Sequence, residues 1–133
     1  MMNNILYSFK QNRTRDDVIN WLIRNSISYK ERKVSKSEPL RHFGVINFLK
    51  IAENGFEDIL KRNLKNVEID GKVVLIDELS TNQMIDMIIM KPSLLKNPIL
   101  TDKNKMIAGF QIDNMGMFIP KEVRKIKLED MIL

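Results

Sequence analysis

The sequence predicts an α/β fold in which a helical segment separates two parts that contain strands. A short apolar run, Ile5 to Tyr7, is typical of a buried strand and breaks into a polar loop before an amphipathic helix. Alternating residues from Ile27 to Glu31 predict a half-buried second strand. Two apolar runs around a polar turn, at 99–101 and 106–110, predict a final pair of strands.

The first helix is expected to begin at Thr14, whose hydroxyl can cap it. Asp16 and Asp17 then lie in the first turn, where the helix dipole favours negative charge. Five apolar residues at helical spacing predict its buried face: Val18, Ile19, Trp21, Leu22 and Ile23. A second helix should follow Pro39, which suits a first helical turn, and run from Leu40 to Ala52. Its expected buried residues are Phe43, Val45, Ile46 and Leu49.

Glycines divide the rest of the middle segment. Gly55 can adopt the left-handed conformation that ends helices, and a short helix is expected at 56–62. Asp70 and Gly71 lie between alternating residues and predict a hairpin, although a loop with one turn also fits.

Ser80 and Gln83 form a capping-box pattern, which predicts a helix from Thr81 to about Met90. With an amphipathic segment at 112–119, the order of elements is βαβ, a helical middle and ββα. This order predicts a thioredoxin-like fold with a helical insertion between its two halves.

The chain is expected to form one domain over residues 1–133, long enough to bury a hydrophobic core. The thioredoxin-like core should comprise about 1–36 and 97–120, and the helical insertion about 39–96. Residues 121–133 are expected to form a loosely held tail.

Composition narrows the classes of function. The chain has no cysteine and one histidine, His42, so disulfides, thiolate chemistry and histidine-based metal sites are not expected, nor is a cofactor. The net charge of +5 and a pI near 9.5 favour contact with polyanions, although the excess is modest. Without a membrane span or signal peptide in the sequence, we expect a cytoplasmic monomer that does not contact membranes.

A set of short motifs follows in order over nearly the whole chain. The motifs are Leu6-Tyr7-Ser8, Trp21-Leu22, 27–32, 37–40, Glu53-Asn54-Gly55, 91–95, Asn97-Pro98-Ile99, Ala108-Gly109-Phe110 and Phe118-Ile119-Pro120. No single motif is specific, but their order and spacing together resemble the Spx/arsenate-reductase-like (ArsC-like) family. The resemblance is closer to the Spx branch, which implies a transcriptional regulator that binds the C-terminal domain of the RNA polymerase α subunit. The arsenate reductases of this fold carry out thiol chemistry on an oxyanion.

At several positions the sequence lacks the residues that the thiol and oxyanion chemistry of this family requires. The redox CxxC of the family falls on 12–15, so both thiol positions, Asn12 and Arg15, lack sulfur. Two arginines that would hold an oxyanion align with Asn63 and Asn97. We therefore expect a redox-inactive protein that is not an enzyme. The alternatives are a degenerate reductase without thiol chemistry and a small-anion binder that uses Arg13 and Arg15.

The resemblance also implies which residues contact a partner. Gly55 matches a glycine at the polymerase contact, although a helix C-cap would equally explain a glycine there. Lys50 lies near that contact, and Tyr7 is either a core residue or a contact. Asn12 and Arg15 are expected on the loop that faces the partner.

Three basic residues in a short run, Lys61, Arg62 and Lys65, are expected to contact promoter DNA only within the polymerase complex. The resemblance also suggests a cis peptide bond between Asn97 and Pro98.

Overall fold

The computed structural model describes residues 4–119, which form two sheets and the helices that cover them. The strands are β1 (Ile5–Ser8), β2 (Lys30–Lys33), β3 (Asn66–Ile69), β4 (Lys72–Leu75), β5 (Ile99–Thr101) and β6 (Met106–Ala108). The helices are α1 (Arg13–Arg24), α2 (His42–Ile51), α3 (Phe56–Ile59), α4 (Thr81–Met90) and α5 (Ile112–Met115). Single 3₁₀ turns occupy Ile76–Glu78, Pro92–Leu94 and Gly116–Phe118.

The central sheet has four strands in the order β2-β1-β5-β6. β1 is parallel to β2 and antiparallel to β5, and β6 is antiparallel to β5. Because strand side chains alternate between faces, Leu6 and its partner Leu100 pack into one apolar cluster. Tyr7 and its partner Ile99 pack into a second cluster on the other face.

Helix α1 covers the first face of the sheet, where Val18, Trp21 and Leu22 are buried. The helix begins at Arg13, close to the predicted start near Thr14, but the predicted cap was wrong, because the N-cap is Asn12 and Thr14 lies inside the helix. Ile23 was also placed wrongly and is 62% exposed. It lies next to Leu22 on the chain, and each residue turns the helix by about 100°, which takes its side chain off the buried stripe.

Helices α2 and α4 pack against each other over the second face, around Val45 and Phe48 of α2. Helix α2 begins at His42 rather than Leu40, and Phe43 is 71% exposed rather than buried. Two residues before Val45, Phe43 lies about 200° around the helix from the buried stripe. Leu40 is buried ahead of the helix, so the apolar pattern was real but began outside it.

The local signals in the middle segment were more reliable. β3 and β4 form the predicted hairpin with Asp70 and Gly71 at its turn, both at positive φ. Ser80 and Gln83 form the predicted capping box of α4. α3 is shorter than expected and ends at Ile59. β2 begins at Lys30 rather than Ile27, because Ile27 is buried against α1 and its N–H donates to the Leu22 carbonyl.

Candidate functional site

The candidate site is the loop that joins β1 to α1, Phe9–Asn12, here called the first loop. Asn12 has an extended backbone, and its side-chain oxygen accepts a hydrogen bond from the Arg15 N–H at 2.9 Å. This bond satisfies one of the free N–H groups at the start of a helix. The first loop is thereby fixed at its α1 end by a side chain of its own.

Asn97, just before β5, fixes the other end of the first loop. Its side-chain oxygen accepts a hydrogen bond from the Phe9 N–H at 2.7 Å. Its side-chain NH₂ group donates to the Lys10 carbonyl at 3.1 Å and to the side-chain oxygen of Asn12 at 3.2 Å. The amide of Asn97 therefore contacts three residues of the first loop. The Asn97–Pro98 peptide bond is cis, as the resemblance suggested.

Arg15 is held on the other side of the loop by Glu31 of β2. Its guanidinium donates to both carboxylate oxygens of Glu31 at 2.8–2.9 Å and to Asp16 at 2.9 Å. The Ser8 hydroxyl also donates to Glu31, at 2.8 Å. The side chains of Arg15 and Glu31 are only 14% and 17% exposed, so the pair is largely shielded from water.

The charges of this pair perturb the acidity of both groups. Burial pushes the pKa of Glu31 upward, but the hydrogen bonds from Arg15 and Ser8 outweigh it and leave that pKa below its ordinary value. The bonds to Glu31, and then to Asp16, raise the pKa of Arg15. Both side chains are therefore ionised at neutral pH.

The second predicted contact region lies at the end of α2. Lys50 is exposed in the last turn of the helix. Gly55 does not cap α2, which was the alternative explanation for it. Ala52 is the C-cap of α2, and Gly55 precedes α3 with φ of 63° and ψ of −137°. L-residues rarely adopt this conformation, so glycine is required here by the turn rather than by a helix end.

The turn around Gly55 is braced by Asp58. The carboxylate of Asp58 accepts hydrogen bonds from the backbone N–H of Asn54 at 2.9 Å and from the Asn54 side chain at 3.2 Å. The backbone bond is the main reason that the pKa of Asp58 lies below its ordinary value. Apart from Gly55 and its two chain neighbours, no atom of residues 4–119 lies within 4 Å of the place that a Cβ on Gly55 would occupy. A side chain added at Gly55 would therefore project into open space.

One segment, 94–97, links the first loop to the basic run. Lys61 donates its N–H to the Leu94 carbonyl at 2.9 Å, and Lys96 donates its N–H to the Ile59 carbonyl at 2.8 Å. The next residue, Asn97, contacts the first loop. The structure thus places the first loop and residues 59–61 against the same short segment.

The basic run itself is exposed. Lys61 and Arg62 lie on a cavity of about 920 Å³ that also includes Glu57, Asp58 and Asp77. Lys65 is exposed just before β3 and is not among the residues that line this cavity. The three cations are therefore available at the surface, beside acidic groups.

Comparison with known proteins identifies the family. The family model for ArsC matches residues 10–118. The chain belongs to the ArsC family. It is 35% identical over 110 residues to the global transcriptional regulator Spx of Streptococcus agalactiae, which covers 82% of this chain and 77% of the relative. Spx of Streptococcus mutans is 35% identical over 111 residues, covering 81% and 77%.

Solved structures agree with the thioredoxin-like fold of the ArsC family. An ArsC family related protein from Bacteroides fragilis superposes with a TM-score of 0.69 at 15% identity, over 88% of this chain and 98% of that one. An arsenate reductase (ArsC) related protein from Brucella melitensis gives 0.60 at 22% identity, over 87% and 93%. At these identities the likeness establishes the fold alone.

This ArsC family member carries polar side chains where the family resemblance places thiols. The chain contains no cysteine. Ser8 is buried, and its hydroxyl donates to a carboxylate that already forms an ion pair with Arg15, so it is poorly placed as a nucleophile. Arg15 is also unsuited to binding a small anion, because Glu31 and Asp16 occupy its donors. Among residues 4–119, no group of three or more His, Cys, Asp or Glu side chains could hold a metal ion.

Two further residues singled out by the sequence have structural partners. Tyr7 is half-buried, and its ring meets the ring of Phe48 edge-on with 4.9 Å between centroids. Burial, partly opposed by the charge of Arg32, raises the pKa of Tyr7. His42 is half-exposed and its Nε2 lies 2.6 Å from the carboxylate of Asp86.

No helix within 4–119 is both long and apolar enough to cross a membrane.

The sequence did not reveal Glu31 as part of the site, nor the role of Asn97. Glu31 appeared only as one member of an alternating strand, and Asn97 only as a position where an arginine was missing. The signal that could have found them is that the departures from the family pattern at Asn12 and Arg15 each lie in a contacting pair. Asn12 contacts Asn97, and Arg15 contacts Glu31 of β2.

Proposed function

We propose that this protein is a non-enzymatic, Spx-like transcriptional regulator that docks on the C-terminal domain of the RNA polymerase α subunit. The observation that carries the proposal is the first loop, which keeps a defined shape through Asn12 and Asn97 although it has no thiol. The similarity to Spx proteins over four-fifths of the chain supports the class of function. A loop of fixed shape without a reactive group is suited to recognition rather than to chemistry.

The proposed docking surface consists of the first loop and the corner formed by Lys50 and Gly55. Lys50 is exposed and forms no ion pair with any residue among 4–119. Gly55 presents bare backbone, with open space where a side chain would stand. Asn12 is partly exposed, whereas Tyr7 and Arg15 are mostly engaged within the protein. We assign Tyr7 and Arg15 to shaping this surface and Asn12, Lys50 and Gly55 to contacting the partner.

Promoter DNA is proposed as a secondary contact, reached only when the protein is bound to polymerase. Lys61, Arg62 and Lys65 are exposed cations in the segment between α3 and β3. Such side chains bind phosphates without reading sequence, and their contribution weakens as salt rises. No disulfide can switch the protein, so its control would depend on its abundance or on competition with thiol-bearing relatives.

The direct test is binding to the purified α C-terminal domain, with a matched pair of substitutions at Gly55. Gly55→Ala and Gly55→Arg impose nearly the same backbone strain, because both add a Cβ at positive φ. Only arginine adds bulk to the surface. We expect Gly55→Arg to lose at least about ten-fold more affinity than Gly55→Ala at equal thermal stability.

Three results would each contradict part of the proposal. Equal loss of affinity in both variants would assign Gly55 to folding alone. Absence of binding by the wild-type protein at low ionic strength would remove the polymerase partner. Turnover of arsenate with glutathione or dithiothreitol above background would contradict the non-enzymatic assignment.

A further inference from the structure

Asn97 lies 85–88 residues away in sequence from the first-loop groups that it contacts. It uses one acceptor and two donors, so three of the four hydrogen-bonding positions of its amide are occupied. Phe9 and Lys10 contribute backbone groups, which would otherwise be left to water at the point where β1 ends. A single side chain from the second half of the fold therefore sets the path of the first loop.

The contacts of Asn12 make the arrangement cooperative. Its side-chain oxygen accepts from both Arg15 N–H and Asn97 Nδ2. The same atom thus caps α1 and receives the bond from Asn97. Displacing Asn97 would loosen the cap, and displacing the cap would remove one partner of Asn97.

We infer that Asn97 is a positioning residue that presets the first loop for partner binding, so that docking requires no ordering of the loop. A preformed loop binds more tightly than a mobile one because the ordering cost has already been met in the free protein. This inference rests on the proposed function for its binding consequence. Its conformational part concerns the free protein and stands without a partner.

Two substitutions separate the hydrogen bonds from the space that the side chain fills. Asn97→Ala removes all three bonds. Asn97→Asp keeps the shape and the acceptor for Phe9, but it places an oxygen against the Lys10 carbonyl and the Asn12 oxygen, where Asn97 supplied donors. If the bonds set the loop, Asn97→Asp behaves like Asn97→Ala and not like the wild type.

A control must lose stability without touching the first loop. Ser80→Ala removes the hydroxyl that caps α4 and lowers the stability of that helix. The side chains of Ser80 and Gln83 form their hydrogen bonds with each other's backbone N–H groups and not with the first loop or Asn97.

The experiment measures amide hydrogen exchange in the free full chain, together with affinity for the α C-terminal domain. We expect exchange of the Arg15 amide to rise about ten-fold in both Asn97 variants, and exchange of the Phe9 amide to rise about ten-fold in Asn97→Ala, which removes its acceptor. In Ser80→Ala both amides should follow global stability. We expect affinity to fall about ten-fold in the Asn97 variants and to stay unchanged in Ser80→Ala.

Each of the two measurements can contradict the inference independently of the other. Unchanged exchange at Phe9 and Arg15 in Asn97→Ala overturns the positioning role, whatever the affinity. Raised exchange with wild-type affinity shows that docking does not depend on a preset loop, and it also overturns the inference. If the wild-type protein does not bind the α domain, the proposed function fails, and the exchange data alone decide whether Asn97 sets the loop.

Discussion

The ion pair between Arg15 and Glu31 gives the sharpest prediction for stability. Fully exposed pairs contribute about 0–1 kcal/mol, whereas breaking a buried pair costs about 3–5 kcal/mol. Arg15 and Glu31 are 14% and 17% exposed, and their contact is bidentate with Ser8 as a further donor. We therefore expect Glu31→Gln to lower the free energy of unfolding by about 2 kcal/mol at pH 7, between these limits.

The pH dependence of this loss has a definite sign. The pKa of Glu31 in the folded protein lies below its ordinary value of 4.5. The unfolded chain therefore binds the proton more readily, and the stabilisation is complete above the unfolded pKa. It declines as pH falls through the folded pKa. The difference between wild type and Glu31→Gln should be constant from pH 7 to about pH 5.5 and should shrink below about pH 4.5.

Urea denaturation of the wild type, Glu31→Gln, Arg15→Met and the double variant tests both statements. We expect a coupling energy of about 1–2 kcal/mol between the two positions at pH 7. Glu38→Gln is the matched control, because it removes the same charge from an exposed ion pair. The side chain of Glu38 is 76% exposed, and its carboxylate lies 3.7 Å from the guanidinium of Arg32. Coupling below about 0.5 kcal/mol, or a Glu31→Gln loss that grows on acidification, would refute the reasoning.

Three other predictions follow from burial and charge. Phe48→Ala should cost about 3–5 kcal/mol in urea denaturation, because Phe48 is 1% exposed and carries the ring contact with Tyr7. Phe43→Ser should change stability by no more than about 0.5 kcal/mol, since Phe43 is 71% exposed, and a large loss there would place Phe43 in the core after all. Replacing Lys61, Arg62 and Lys65 together by glutamine should weaken binding of the polymerase–protein complex to promoter DNA and reduce its dependence on salt, while circular dichroism stays unchanged. An unaltered salt dependence would exclude these residues from the DNA contact.

The sequence predicted those elements whose signals lie within a few residues. Asp70 and Gly71 place the hairpin turn, and Ser80 with Gln83 places the start of α4, because each signal is local chemistry of the backbone. The N-cap of α1 was assigned to the wrong residue, because asparagine and threonine are both favourable caps. Tertiary contacts decided between them: Asn12 also receives a bond from Asn97, which no local pattern reveals.

The same reasoning explains why the site was harder to predict than the fold. The apolar runs at β1 and β5 indicate buried strands, because every residue of such a run contributes to the pattern. The site depends on single contacts between distant segments, such as Glu31 with Arg15 and Asn97 with Phe9. For Gly55, the explanation as a helix C-cap was wrong, since the turn before α3 and not the end of α2 requires glycine there.

The polar residues of the site depend on one another, so the first loop keeps its structure without thiols only if all of these partners are present. Without Glu31, the largely buried guanidinium of Arg15 would keep only Asp16, which is exposed, as a charged partner. Without Arg15, the carboxylate of Glu31 would keep only Ser8 as a side-chain donor. Asn12 and Asn97 also depend on each other, because the side-chain NH₂ group of Asn97 donates a hydrogen bond to the side-chain oxygen of Asn12. Reintroducing cysteine at Asn12 and Arg15 alone would therefore not restore a working redox loop, since Glu31 and Asn97 would lose their partners. We expect that double variant to be less stable than the wild type under reducing conditions, and to recover when Glu31 is also replaced by an uncharged residue.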